Sequence, residues 1–374
     1  MNDPSDVDID EVRRSLRSTL SGFDPEYWRE LDQRRAFPDA FFSAIGEAGW
    51  FGTLIPERWG GADAGPVVAS VVVEEINRAG GDATTINAQM AICGTLVRDG
   101  NDEQRQRYLP GVADGSIRFL GVAATEPDSG ADMSHLKSTA RRKGDKWLIS
   151  ASKVLISLAE HTRLMIVLVS TEEGPTLFLL DYETYRDAIE VQPIELITNR
   201  MTTTVFIDEL EVPDSVRLGP AGGGLKCLMK GFAPRRVFAA AESIGNARFM
   251  LDKCLDHAKE RVTFGRPIGQ NQGVQYPLTR AFANVEAADL MRWDALKLIE
   301  AGDAGASGRS ALAKILASEA AWETARAALT TLGGWGLSAD YHVERKLRDT
   351  TVFVFNNLLL SYVAERVLNL PKAY

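Results

Sequence analysis

Apolar positions recur with helical spacing over most of the first 118 residues. The segment 37–49 puts Phe41, Phe42, Ile45 and Ala48 on one helical face, and Gly49 suits a C-cap. Longer apolar helices are expected over 67–79 and 84–98. Between 119 and 215 the period changes. Short runs at 119–124, 138–142, 147–153, 164–170, 175–181, 189–193 and 203–207 alternate with turn residues, the spacing of an antiparallel sandwich or barrel. From 216 the helical period returns. A glycine-rich linker, 219–224, leads into helices expected over 225–261, 272–301, 307–332 and 343–369, which fit an up-down bundle. The predicted architecture is therefore α+β and multidomain. An N-terminal α-helical domain covers 1–118, a middle antiparallel β-barrel or sandwich 119–215, and a C-terminal four-helix bundle 216–374.

Composition changes this picture little. The 374 residues are 45% hydrophobic and 25% charged, which suits a globular chain of two or three domains. A net charge of −9 argues against a nucleic-acid partner. No run approaches the apolar length of a membrane span, and the acidic N-terminus lacks a signal-peptide core. Cys93, Cys227 and Cys254 are isolated and read as reduced core residues, and the four histidines form no local ligand pair. No metal site is expected, and the reading is a cytoplasmic protein.

The candidate chemistry starts at Ala124-Thr-Glu-Pro-Asp-Ser-Gly-Ala-Asp132. An apolar strand ends there at Pro127, which cannot donate to a ladder and biases Glu126 towards extended backbone. Backbone N–H groups and Thr125 at such a strand end can hydrogen-bond a flat polar ring, and Gly130 allows close approach. The same composition also suits an ordinary loop.

This stretch resembles the T-E-P-x-x-G-S-D signature of the acyl-CoA dehydrogenase family, and further anchors cover roughly residues 40 to 366. The turn over 50–61 is similar to G-l-x-x-P-x-x-x-G-G, and 100–110 to G-t-e-e-Q-k-x-k-y-L-P. The segment 146–157 resembles the second flavin segment, G-x-K-x-W-I-T/S. Arg261-Val-Thr-Phe-Gly-Arg-Pro-Ile-Gly-Gln-Asn-Gln272 is similar to R-x-x-F-G-x-x-i-x-x-x-Q, and Leu332-Gly-Gly-Trp-Gly336 to L-G-G-x-G. The resemblance implies FAD as cofactor. It implies contacts from Ala124, Thr125, Ala131, Leu155 and Ser157 on one side, and from Arg261, Phe264, Gln272, Gly333 and Gly334 on a dinucleotide held mainly by a neighbouring subunit. Arg is a good diphosphate donor and Phe offers a ring face. Three positions depart from the pattern: Leu155 stands for the flavin-packing Trp, Ala131 for the serine of G-S-D, and Thr330 for the usual glutamine. Trp293 and Trp335 read as packing.

The family's reaction needs a carboxylate to remove the α-proton of an acyl thioester and a flavin to accept hydride. The glutamate expected eight residues after the Asp of R-D is Asn357 here, followed by Leu358-Leu359 instead of Gly-Thr. A minority position on the first bundle helix carries Arg235, next to Arg236. Glu242 lies seven residues on, on the same helix face, and is the nearest substitute base or substrate ligand; the same pattern suits a structural ion pair with an Arg. The resemblance implies an acyl-CoA or acyl-carrier-protein substrate, an electron acceptor such as an electron-transfer flavoprotein, and an oligomer with itself or a homologous subunit. Three readings remain: an FAD oxidoreductase with an altered or relocated base, a non-catalytic subunit of a heteromeric acyl-CoA dehydrogenase, and a flavin-free scaffold.

Overall fold

The computed structural model describes residues 8–130, 132–133 and 135–372. It divides into two compact units. One comprises residues up to 34 with 65–83 and 233–374; the other comprises 35–64 and 84–232.

The first unit is helical. It holds α1 (Ile9–Leu20) and α2 (Pro25–Arg34). In the second unit, α3 (Asp39–Glu47) buries Phe41, Phe42 and Ile45, and Gly49 follows at φ +78° as a left-handed stop. Ala48 does not join that face: it is exposed, because the helix ends at Glu47. Helix α4 (Gly65–Arg78) returns to the first unit, and α5 (Thr84–Asp99) and α6 (Asp102–Ala113) belong to the second. The Gly100–Gln104 motif is a capping box. Asn101 Oδ1 accepts from the Gln104 N–H at 2.8 Å, and Gln104 Oε1 accepts from the Asn101 N–H at 3.0 Å. The turn at 60–61 needs its glycines. Gly60 sits at φ +83°, and a Cβ on Gly61 would lie 1.8 Å from the Ile55 carbonyl oxygen.

The second unit is built on an eight-stranded sheet. Its strands are β1 (Phe119–Ala123), β2 (Thr139–Lys143), β3 (Lys146–Ser157), β4 (Leu164–Thr171), β5 (Gly174–Asp181), β6 (Ile189–Pro193), β7 (Thr202–Pro213) and β8 (Arg217–Leu218). A short helix, α7 (Tyr182–Tyr185), follows β5. The order is β6-β7-β3-β2-β4-β5-β8, with β1 beside β4. Pairing is antiparallel except for β1–β4 and β2–β4, which are parallel. β4 is apolar without alternation because both its faces are covered. Leu164, Ile166 and Leu168 pack with α5 and α6 residues, while Met165, Val167 and Val169 pack with Trp147, Val205 and Val212 of β3 and β7. The strand expected over 203–207 runs on to Pro213. Polar Asp208 and Glu209 are exposed where Glu209 adopts φ +44°, and pairing with β3 resumes beyond them.

The helix expected over 225–261 is two helices, α8 (Gly224–Lys230) and α9 (Phe232–Glu260), parted at Gly231. A hairpin of β9 (Val262–Thr263) and β10 (Arg266–Pro267) follows. Next come α10 (Gln272–Glu300) and α11 (Ala306–Leu332). The last expected helix, 343–369, is also two: α12 (Val343–Thr351) and α13 (Asn357–Arg366). The break is held by a distant side chain. Lys314 Nζ donates to the Phe353 carbonyl at 2.6 Å and to Asn356 Oδ1 at 2.7 Å. In the first unit α10 packs on α11, and α11 on α12 and α13. Ala317, Ala321, Ala325 and Ala328 of α11, with Ala281, Ala288 and Ala295 of α10, let the backbones approach closely. A charged cluster lies inside this unit. Arg292 and Glu74 are both fully buried and meet at 2.6 Å, with Asp289 2.7 Å from Arg292 and Ser70 Oγ accepting at 3.0 Å.

Candidate functional site

The sequence-predicted residues fall in both units. In the second unit, β1 delivers Ala124 and Thr125, and β3 delivers Leu155 and Ser157. The two segments are stitched together. Thr125 Oγ donates to the Val154 carbonyl at 2.5 Å, and the Val154 N–H donates to the Thr125 carbonyl at 3.0 Å. Lys153 Nζ donates to the Ala124 carbonyl at 3.3 Å and to Glu126 Oε1 at 2.7 Å. Glu126 also accepts from the Lys137 N–H at 2.7 Å and the Ser138 N–H at 3.1 Å. Burial opposes the Glu126 charge, but the hydrogen bonds from Lys153, Lys137 and Ser138 hold its carboxyl below the usual range. For Lys153 burial prevails over the hydrogen bond to Glu126 and lowers the ammonium's pKa.

Pairing between β3 and β7 is irregular between Lys153 and Ile156. There Leu155 takes φ +59° and is 58% exposed, an unusual state for a leucine. Among the described residues, the Thr125 N–H donates no backbone hydrogen bond and the half-buried Ser157 hydroxyl has no partner. Ala131 lies outside the described residues. The loop before it is closed by paired Glu126 and Ser129 backbone bonds of 2.8 and 3.1 Å.

In the first unit, Arg261, Gly333 and Gly334 line one groove of about 680 Å³, together with His257, Thr330, Trp335 and Ser338. The Arg261 side chain is exposed and meets no acceptor among the described residues. Gly333 takes φ +60° and ψ −135°, a region that side chains rarely enter. Trp335 is half exposed and stacks on Tyr341, with ring centroids 5.4 Å apart. At the hairpin turn Phe264 is fully exposed at φ +53°. Gln272 is exposed at the first turn of α10.

The catalytic candidates are scattered. Asn357 is exposed and lines a different groove of about 740 Å³ with Asn284, Trp322, Glu319 and Glu323. Its neighbour Asn356 is buried, donating to Ser318 Oγ at 3.0 Å and accepting from Lys314. Burial lowers the Lys314 amine to about 8, with Glu319 opposing. Arg235 is exposed. Arg236 donates to the Ser307 carbonyl at 3.2 Å and lies 4.7 Å from the Tyr362 ring centroid.

Glu242 is buried at 1% exposure on α9, in electrostatic reach of Lys346 from α12. Lys346 is fully buried and donates to Asn246 Oδ1 at 2.8 Å and to the Gly81 carbonyl. Burial, reinforced by Arg345, lowers its amine to about 7. The sequence reading missed both buried lysines. The apolar neighbours of Lys153 were the only signal for that one, and nothing local marks Lys346. Among the described residues there is no metal-ligand cluster and no helix long and apolar enough to cross a membrane.

Three family models match: acyl-CoA dehydrogenase N-terminal domain over residues 7–116, middle domain over 121–208 and C-terminal domain over 222–355. Over the full length of both chains the sequence is 30% identical to acyl-CoA dehydrogenase FadE12 of Mycobacterium tuberculosis. It is 32% identical to glutaryl-CoA dehydrogenase of Desulfococcus multivorans, over 92% of this chain and 90% of that one. The solved glutaryl-coenzyme A dehydrogenase glutaryl-CoA complex superposes with a TM-score of 0.92 at 28% identity, covering 100% of this chain and 98% of that one.

Proposed function

The chain belongs to the acyl-CoA dehydrogenase family, and from that premise we propose that it is an FAD-dependent oxidoreductase acting on an acyl thioester, carried on CoA or a carrier protein, with its catalytic base moved from the usual positions. One observation supports the cofactor assignment above others: among the described residues, polar and aromatic groups at the family's flavin positions stand without partners. The Thr125 N–H and Ser157 hydroxyl can hydrogen-bond a flavin ring. Arg261, beside the open backbone of Gly333 and Gly334, can pair with a diphosphate, and the exposed Phe264 ring and Gln272 stand close by in sequence. Bound FAD would supply the hydride acceptor.

The chain itself must hold the thioester and remove a proton from its α-carbon. Asn357 and Arg235 cannot do so, because neither is a carboxylate. Glu242 is the candidate: a buried carboxylate with the Lys346 amine in reach. Arg235 and Arg236 are the proposed substrate contacts on the same helix. The electrons leave through an acceptor such as an electron-transfer flavoprotein, and the working form is an oligomer. The test is turnover of a panel of acyl-CoA thioesters with an artificial electron acceptor. Glu242→Gln should lower kcat by at least about a hundredfold, the scale of a lost general base. Unchanged turnover in that variant removes Glu242 from the mechanism.

A second reading has its own support. The usual glutamate and the Gly-Thr after it are replaced together by Asn357, Leu358 and Leu359, while the Arg261 groove is kept. That split fits a non-catalytic subunit whose homologous partner carries the base. Co-purification of such a homologue, with turnover only in the mixed complex, would favour it.

A further inference from the structure

Lys153 and Glu126 form an ion pair at 2.7 Å whose side chains are 0% and 2% exposed. Neither residue has a part in the chemistry above. A buried pair of this kind seldom stabilises a fold more than apolar residues of the same volume would. What it does supply is geometry. Glu126 sits on the loop after β1, and its carboxylate also gathers the Lys137 and Ser138 N–H groups at the approach to β2. Lys153 sits on β3, immediately before the strand's irregularity at Val154–Leu155. The pair thus joins the loop after β1, the start of β2 and β3 at one buried point.

Its second contact gives the pair a direction. Lys153 Nζ donates to the Ala124 carbonyl at 3.3 Å. The N–H of that same peptide unit belongs to Thr125 and has no backbone acceptor among the described residues. A cation on a peptide oxygen polarises the unit and strengthens the donor at its other end, more so away from water. The Thr125 carbonyl and hydroxyl are both committed to Val154, which leaves this N–H as the group the residue can offer a ligand.

We propose that Lys153 and Glu126 are a positioning pair that orients and polarises the Ala124–Thr125 peptide toward the flavin, and thereby tunes flavin affinity and reduction potential. This rests on the flavin assignment above. Lys153→Gln combined with Glu126→Gln is the informative variant. It removes both charges, keeps hydrogen-bonding groups at both positions and leaves no lone buried charge. The apoprotein's Tm, its Kd for FAD and the midpoint potential of the bound flavin are measured. The expected result is a Tm close to wild type, a Kd raised about tenfold, equivalent to about 1.4 kcal/mol, and a more negative potential. A folded double variant with wild-type Kd and potential makes the pair a structural staple and overturns the proposal. Should the double variant not fold, Lys153→Arg decides on the same readings, since it keeps the cation but moves its donors: a changed potential supports the proposal and an unchanged one overturns it. A wild-type chain that binds no FAD would instead overturn the flavin assignment, and the positioning role with it.

Discussion

Lys346→Met should change how stability depends on pH. Lys346 is fully buried, hydrogen-bonded to Asn246 and the Gly81 carbonyl. Burial and then Arg345 pull its amine down to about 7, against Asp349, Asp82 and Glu242, which favour the charge. An unfolded lysine titrates near 10.4. Between about pH 7 and 10.4 the unfolded chain therefore binds one proton more than the folded chain, so this residue makes stability rise with pH, by about 1.4 kcal/mol per unit. The penalty is complete below about pH 7 and gone above about 10.4, a span of roughly 4 to 5 kcal/mol. Other groups titrate as well, including the Cys93 and Cys254 thiols, which burial raises to about 12. The quantity to read is thus the difference between wild type and variant in denaturant unfolding at pH 6, 8 and 10, at one protein concentration. The hydrogen bonds lost at Gly81 and Asn246 give an offset common to all three. Relative to wild type, the variant should be more favourable at pH 6 than at pH 10 by most of that span. A difference that is flat with pH would refute the reasoning, since it would mean that Lys346 folds with an ordinary amine. The same titration decides whether Lys346 presents a cation or a neutral amine to Glu242.

Three further outcomes follow from the geometry. Arg261→Gln removes the groove's guanidinium and should raise the Kd for FAD about ten- to a hundredfold, the worth of one charge-assisted hydrogen bond, with apoprotein Tm unchanged; a flavin fluorescence titration reads it. Arg292→Met leaves Arg248 as the remaining close cation for both Glu74 and Asp289 inside the first unit, and should cost about 3 kcal/mol in denaturant unfolding, the lower end for a broken buried pair. Lys314→Met frees the Phe353 carbonyl and Asn356, and should cost about 2 kcal/mol and expose the segment between α12 and α13 to limited proteolysis, where wild type resists.

Much of this was legible in the sequence because its signals are local. The helix stop at Gly49, the turn over 50–61 and the strand end before Pro127 are each fixed by residues a few positions apart. What was not legible depends on partners far along the chain. Val343 to Asn369 reads as one helix until Lys314, about two turns into α11, satisfies a carbonyl that an unbroken helix would have used itself. Leu225 to Arg261 hid its break because a single glycine inside a helical pattern is often tolerated. Asp208 and Glu209 read as the end of a strand, yet pairing resumes beyond them. The charges were the largest omission. Glu74, Arg292, Lys153 and Lys346 carry the usual signature of solvated surface, and only the fold brings each to its buried partner. At the candidate site the motif positions Thr125, Ser157, Arg261 and Gly333 could be named one by one. The grip of Lys153 on the Ala124 peptide could not, because 29 residues separate its ends.

The measurement that bears most directly on the account is the visible absorption spectrum of the purified chain, expressed alone and then supplied with FAD. A protein-bound flavin band corresponding to about one flavin per chain is the predicted result, and it would identify a self-sufficient flavoenzyme. A chain that stays colourless after FAD is added contradicts it, and would turn attention to a homologous partner subunit carrying the missing glutamate.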